Sequence, residues 1–171
     1  LFGEGIAIAN QRIYQLTWQE NQGIVYDLAG LNIIDQFNYV GEGWGLTFDG
    51  EHLIMSDGTS QLTFLDPDTY NIVRQISVAY NDEPVIYINE LEYIAGLIYA
   101  NVWLTDQIIM IEPQSGAVVG VIDLSGLSAE QNLTDDDAVL NGIAYDPIGQ
   151  RIFVTGKLWS RVYHIELTRV F

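Results

Sequence analysis

Apolar strands recur along the chain with a period of roughly 40 residues, the mark of a repeat architecture. Each cycle closes on an acidic residue: Tyr26-Asp27, Leu65-Asp66, Ile111-Glu112 and Ile165-Glu166. The acidic residues stand 39, 46 and 54 positions apart, and the lengthening follows from two insertions, Ala79 to Val85 and Ser125 to Val139. Every cycle opens on a short strand (Gly5 to Ala9, Trp44 to Phe48, Leu91 to Ile94, Gly142 to Tyr145). A turn such as Asn10-Gln11, Asp49-Gly50, Ala95-Gly96 or Asp146-Pro147 leads into a second strand (Arg12 to Thr17, Leu53 to Ser56, Ile98 to Val102, Ile152 to Thr155). A third ends at the acidic residue, as in Gln61 to Leu65 and Gln107 to Ile111. A fourth alternates apolar and polar positions, as in Leu31 to Phe37, Ile72 to Val78 and Ala117 to Ile122.

Short strands rich in Ile, Val, Tyr and Thr, punctuated by Asp-Gly and Asp-Pro turns, predict an all-β chain. Four strands per cycle predict the blades of a β-propeller. A β-sandwich is the alternative, but sandwiches rarely repeat themselves in this way. The repeats occupy residues 3–40, 41–78, 88–124 and 140–167 of one domain spanning 1–171. The first repeat begins at its inner strand and the last ends after its third, near Leu167. A propeller closes its ring, so the expectation is four blades of a larger ring, with an N-terminal blade and a closing strand absent.

Composition narrows the partners. Six Lys plus Arg face 23 Asp plus Glu, for a formal charge of −17. Nucleic-acid binding draws its affinity from cationic side chains, so nucleic acid is excluded. The longest apolar stretch, Val85 to Leu104, is broken by Asn89, Glu90, Glu92 and Asn101. A membrane span needs about 20 mostly apolar residues, so no membrane association is expected. The absence of cysteine removes thiol, disulfide and zinc-thiolate chemistry. The chain opens on Leu1, inside an apolar motif with no signal peptide in view, and reads as processed or truncated.

Nine residues before each acidic marker stand Trp18, Asp57, Trp103 and Lys157, the chain's one lysine. Pseudo-rotation about the ring axis relates these positions, so their side chains should approach one mouth. The entries to the inner strands carry Glu4, Glu42, Asn89 with Glu90, and Asn141. Glu4, Asn89 and Asn141 should therefore face one another across the central channel. A few polar groups in an aromatic surround make up a small-ligand pocket. Each element also has a bland reading: Trp18 and Trp103 as packing between blades, Lys157 as a snorkelling rim residue, Glu4 and Glu42 as solvated turn residues. Their coincidence at equivalent repeat positions favours the functional one.

Other signals carry less. Gly41-Glu42-Gly43-Trp44-Gly45 is not a dinucleotide loop, since no helix follows it. His52 and His164 lack ligand spacing. Asp135-Asp136-Asp137 could hold calcium but lacks the EF-hand pattern and reads as a solvated loop.

Eight motifs occur in order: Leu1-Phe2-Gly3-Glu4-Gly5, Gln15-Leu16-Thr17-Trp18, Gly43-Trp44-Gly45-Leu46, Ser56-Asp57-Gly58-Thr59, Asn89-Glu90-Leu91-Glu92, Ala100-Asn101-Val102-Trp103, Leu140-Asn141-Gly142-Ile143-Ala144 and Phe153-Val154-Thr155-Gly156-Lys157-Leu158-Trp159. Together they resemble the plant and bacterial type of glutaminyl cyclase, a family of five-bladed propellers, over nearly the whole chain. The resemblance implies an enzyme that converts an N-terminal glutaminyl residue of a peptide or protein to pyroglutamate and releases ammonia. It implies Glu4 as the catalytic carboxylate, with Phe2, Trp18, Trp44, Asn89, Trp103 and Lys157 as the other pocket residues. A Phe-Thr-Gln-Gly segment of the family does not precede Leu1 here.

The chemistry suits those residues. Holding the substrate curled for intramolecular attack is an orientation effect, and Glu4 would shuttle the proton as general base and then acid. Lys157, Asn89 and the indole N–H groups would steady developing oxygen charge, and Asn141 would help bind substrate. The Trp faces would receive the substrate ammonium. No metal or cofactor is called for. The relatives imply a secreted or periplasmic enzyme, working as a monomer. A calcium-dependent lactonase-like hydrolase, with Glu4, Asn89 and Asn141 as ligands, and a non-catalytic peptide-binding propeller are the alternatives.

Overall fold

The structure, a computed structural model, describes residues 1–131, 135 and 137–168. Three antiparallel four-stranded sheets and one three-stranded sheet follow one another along the chain. The first holds β1 (Gly3–Ala9), β2 (Arg12–Thr17), β3 (Gln22–Asp27) and β4 (Ile33–Asn38) in sequence order. The second holds β5 (Leu46–Phe48), β6 (Leu53–Ser56), β7 (Gln61–Leu65) and β8 (Ile72–Ser77). A two-stranded hairpin, β9 (Ala79–Tyr80) and β10 (Glu83–Pro84), forms the first insertion. The third sheet holds β11 (Ile88–Ile94), β12 (Leu97–Val102), β13 (Gln107–Ile111) and β14 (Val118–Asp123). The fourth holds β15 (Leu140–Asp146), β16 (Arg151–Gly156) and β17 (Tyr163–Ile165). The opening strands contact one another in series, β1 with β5, β5 with β11 and β11 with β15, as inner strands of neighbouring blades do.

The repeat has a physical origin in its turns. Asp27 accepts the amides of Gly30 and Asn32; Asp66 accepts those of Asp68 and Thr69; Glu112 accepts those of Gln114 and Ser115. These three acidic markers thus cap the turns between the third and fourth strands of their blades with their own carboxylates, as Asx-type turns do. These hydrogen bonds hold all three carboxyls below their ordinary range. At the β1–β2 and β11–β12 turns, both central residues take positive φ (Asn10 and Gln11, Ala95 and Gly96). That is the primed geometry whose twist suits a two-residue hairpin.

The core lies between blades. Tyr14, Leu16 and Val25 of the first sheet pack with Leu46, Leu53 and Leu65 of the second. Ile54, Leu62 and Phe64 meet Leu91, Ile98 and Ile109 across the next interface. Tyr99 and Ile108 meet Ile143 and Val154 across the third. Each such side chain contributes about 1.5–3 kcal/mol when fully buried, so adjacent blades stabilise one another. Ile6 and Ile8, on the opposite face of β1 from buried Ala7 and Ala9, are exposed.

Backbone meets backbone at the centre. A Cβ on Gly5 would come within 2.8 Å of Trp44 O and Leu46 N, and the Gly5 amide donates to Trp44 O at 2.8 Å. A Cβ on Gly45 would likewise collide with the Asn89 carbonyl. Only glycine permits so close an approach.

Three expectations change. The inner strands of the first, third and fourth sheets begin two or three residues earlier than the alternation predicts. A β-bulge interrupts the pattern in each. Conversely, β5 is shorter than Trp44 to Phe48, because Gly43 and Gly45 bring that segment against its neighbours. The second insertion is not all loop: it begins as a short helix, α1 (Ser125–Gln131), whose first amide is received by the Asp123 carboxylate. Asp136 lies outside the described residues. Among the described residues no helix is long and apolar enough to cross a membrane.

Candidate active site

The bulges decide which side chains leave the sheet. In the first sheet Gly3 pairs with Thr17 and Ile6 with Gln15, so Glu4 and Gly5 together oppose Leu16. In the third, Asn89 and Glu90 fall between the Ile88–Val102 and Leu91–Ala100 pairs. In the fourth, Asn141 and Gly142 fall between Leu140–Gly156 and Ile143–Val154. A bulge bends its strand and re-aims a side chain, and here it recurs at one level of the ring.

A second equivalence surrounds it. Trp18, Trp103 and Lys157 each follow the second strand and donate their backbone N–H to the residue before the inner strand: Phe2, Tyr87 and Val139. The chain then reverses sharply after two of them, with Leu104 at φ +65° and Leu158 at φ +62°. Left-handed conformations of bulky residues are strained, and these two follow directly on Trp103 and Lys157.

A cavity of about 430 Å³ opens there. Phe2, Glu4 and Trp18 come from the first blade, Trp44 from the second, Asn89 and Trp103 from the third and Lys157 from the fourth. Seven of the eight residues expected at the site therefore share one cavity. The eighth, Asn141, does not line it; Lys157, Leu158, Asp135 and Asp137 form the wall in that sector. Asn141 is half-buried, and its Oδ1 finds no hydrogen-bond partner among the described residues. The stretch read from sequence as a solvated loop thus reaches the cavity through exposed Asp135 and Asp137. Trp44 and Trp103 meet edge to face at 5.5 Å, and Phe2 and Trp18 at 6.0 Å.

Charge is graded across the site. Burial pushes the Glu4 carboxyl above its ordinary 4.5, against the pull of the Lys157 ammonium. Glu90, the second bulge residue of β11, goes further. Burial raises it to about 8, Glu92 and Glu4 add repulsion, and the Leu91 amide opposes. Glu90 keeps partial solvent contact all the same, and it is protonated at neutral pH. Glu92 is raised by burial too, against hydrogen bonds from the Tyr145 amide at 2.9 Å and the Thr47 hydroxyl at 3.4 Å. Its carboxylate thereby staples the inner strands of three blades.

Glu42 has the opposite environment. Its Oε2 accepts from Trp18 Nε1 at 2.7 Å and Trp44 Nε1 at 2.8 Å, and its Oε1 from Gln19 Nε2 at 3.0 Å. These bonds hold its carboxyl below the usual range. The N–H groups of Trp18 and Trp44 are therefore occupied and not free to steady a developing oxyanion, as the sequence suggested. His52 packs on Phe64 beside Asp49, and His164 on Phe153. Among the described residues, no three His, Asp or Glu converge as a metal cluster.

Comparison with known proteins agrees with the geometry. The glutamine cyclotransferase family model matches residues 1–167. The chain is 44% identical over 169 residues to glutaminyl-peptide cyclotransferase of Arabidopsis thaliana, covering 97% of this chain and 53% of that protein. It thus spans about half the length of the curated relative it matches. It superposes on the crystal structure of Myxococcus xanthus glutaminyl cyclase with a TM-score of 0.93 and 42% identity, covering 96% of this chain and 72% of that one. The computationally designed Ika4 protein shares only the fold, with a TM-score of 0.54 and 10% identity, over 96% of this chain and 91% of its own. The four sheets are blades of a β-propeller, and the chain belongs to the glutamine cyclotransferase family.

Proposed function

We propose that the intact protein is a glutaminyl-peptide cyclotransferase, an ammonia-releasing acyltransferase acting on peptides and proteins that begin with glutamine. One observation carries the reading: Glu4, its carboxyl raised by burial and faced by Lys157, opens into a cavity walled by Trp18, Trp44 and Trp103. The substrate's α-amine attacks its own γ-amide carbon, the ring C–N bond forms, and the amide C–N bond breaks to give ammonia. An α-amine has a pKa of about 7.7–8.0, so it arrives largely protonated and must shed protons to react. Glu4 accepts a proton from the attacking amine and returns one to the departing nitrogen. A raised carboxyl pKa serves both halves of that cycle.

Lys157 and Asn89 face the oxygen on which charge develops and steady it. Phe2 and the three indoles hold the glutaminyl side chain in its curled, near-attack form and receive the ammonium on their faces. The family resemblance supports a secreted or periplasmic enzyme working as a monomer without metal.

Ammonia release from a glutamine-initiated dipeptide amide, measured on the intact protein with and without chelator, tests the reading. Release unaffected by chelator is expected. Loss of activity on chelation would favour the calcium-dependent hydrolase. Peptide binding without ammonia would favour a non-catalytic propeller.

A further inference from the structure

We propose that Glu42 is the positioning residue for cation recognition at this site, setting both the orientation and the face potential of Trp18 and Trp44. The inference rests on the reading above. It begins from a geometry that packing does not require. Trp18 is 40% exposed and could donate its N–H to water. Instead, its indole and that of Trp44, from a different blade, converge on one carboxylate oxygen at 2.7 and 2.8 Å. Both indoles line the cavity.

Two consequences follow. Two hydrogen bonds to one atom fix the edges of both rings, and charge-assisted bonds are about twice as strong as neutral ones. An anion at the N–H edge also pushes electron density into the ring, making its face more attractive to an ammonium. Trp18 and Trp44 already engage Oε2 of Glu42, and Gln19 its Oε1. The two carboxylates thereby divide the work. Glu42, held low by its donors, stays ionised and shapes the receptor for the charged amine. Glu4, raised by burial, exchanges protons.

The test compares two unreactive probes by quenching of tryptophan fluorescence. One is a glutaminyl-alanine amide with a trimethylated α-amine, a permanent cation that cannot cyclise. The other is its Nα-acetyl, neutral counterpart. Glu42→Gln keeps an amide oxygen that can accept from both indoles, and so keeps the rings in place, while removing the charge. The cation should then bind about tenfold more weakly while the neutral probe is unaffected. With glutaminyl-alanine amide as substrate, KM should rise by about the same factor with kcat within about twofold. Asp57, which does not line the cavity and accepts from Thr59 instead of an indole, is the charge control: Asp57→Asn removes a negative charge and should leave both probes unchanged. Equal weakening of both probes by Glu42→Gln, or of neither, overturns the proposal. If wild type releases no ammonia, the cyclase reading fails, and the two-probe comparison still decides the role of Glu42. Should Glu42→Gln not fold, ultraviolet resonance Raman of the wild-type chain against Trp18→Phe reads the N–H hydrogen bond directly. A strongly bonded Trp18 N–H is expected, and a water-like one overturns the proposal.

Discussion

Removing a single hydroxyl, in Tyr39→Phe, should loosen the wall that carries Trp18. Tyr39 OH accepts the Thr17 amide at 2.9 Å and donates to the Thr17 carbonyl at 2.5 Å, with the Gln22 carbonyl at 3.3 Å. Thr17 is 1% exposed, so water cannot replace the lost partner. The phenyl ring remains, so packing changes little and the loss is polar. A buried donor left unpaired costs about 1–3 kcal/mol, and the middle of that range, about 2 kcal/mol, is expected here. In a chain of this size about 1 kcal/mol moves the Tm by about 2–4 °C, so a drop of about 4–8 °C follows. Thermal and urea unfolding of wild type and variant measure it, with an unchanged urea slope showing that only stability moved. Because the Trp18 carbonyl receives the Gly43 amide just beyond this clasp, KM should rise as well. A loss under about 0.5 kcal/mol, the scale of an ordinary surface change, would refute the reasoning.

Lys157→Met removes the charge that pulls the Glu4 carboxyl down, so Glu4 keeps its proton to higher pH. The acid limb of the kcat/KM profile should move upward, and an unmoved limb contradicts the pairing. Glu90 titrates near 8 when folded against 4.5 in its ordinary state. The folded chain binds that proton more tightly, so its stabilising contribution is complete below 4.5 and is lost as pH rises through about 8. Urea denaturation from about pH 5 to about pH 9 should show wild type losing stability relative to Glu90→Gln; parallel profiles would contradict this. Gly5→Ala drives a Cβ into the Trp44–Leu46 backbone and should destabilise by about 1–3 kcal/mol, seen as a lower urea midpoint. A neutral result would mean that β1 and β5 can separate freely.

The blades were legible because the repeat is written in turn chemistry. Asp27, Asp66 and Glu112 recur where a carboxylate must cap a turn, and the strands between them alternate as a half-buried sheet requires. The shared mouth was legible for the same reason: equal distance from a marker means equal height on the ring, which brought together Trp18, Trp103 and Lys157. Equivalence failed at Asp57, which shares the register of Trp18, Trp103 and Lys157 but does not line the cavity, and at Asn141, in whose place Lys157, Leu158, Asp135 and Asp137 line it. The bulges hid the first residues of three inner strands, since an extra residue breaks the alternation by which strands are read. Glu42 was visible as a polar entry residue, but its bond to an indole 24 positions away depends on how two blades meet. Nothing in the order of residues separates Glu90 from the equally acidic Glu92. Their environments differ because one sits in the bulge and the other spans to Tyr145 and Thr47.

Glu4→Gln in the intact protein tests the central claim most directly, with peptide binding followed by fluorescence and ring closure by the mass loss of one ammonia. The isosteric amide keeps the cavity's shape but cannot exchange the proton, so binding should persist while pyroglutamate formation is abolished. Turnover close to wild type would contradict the assignment.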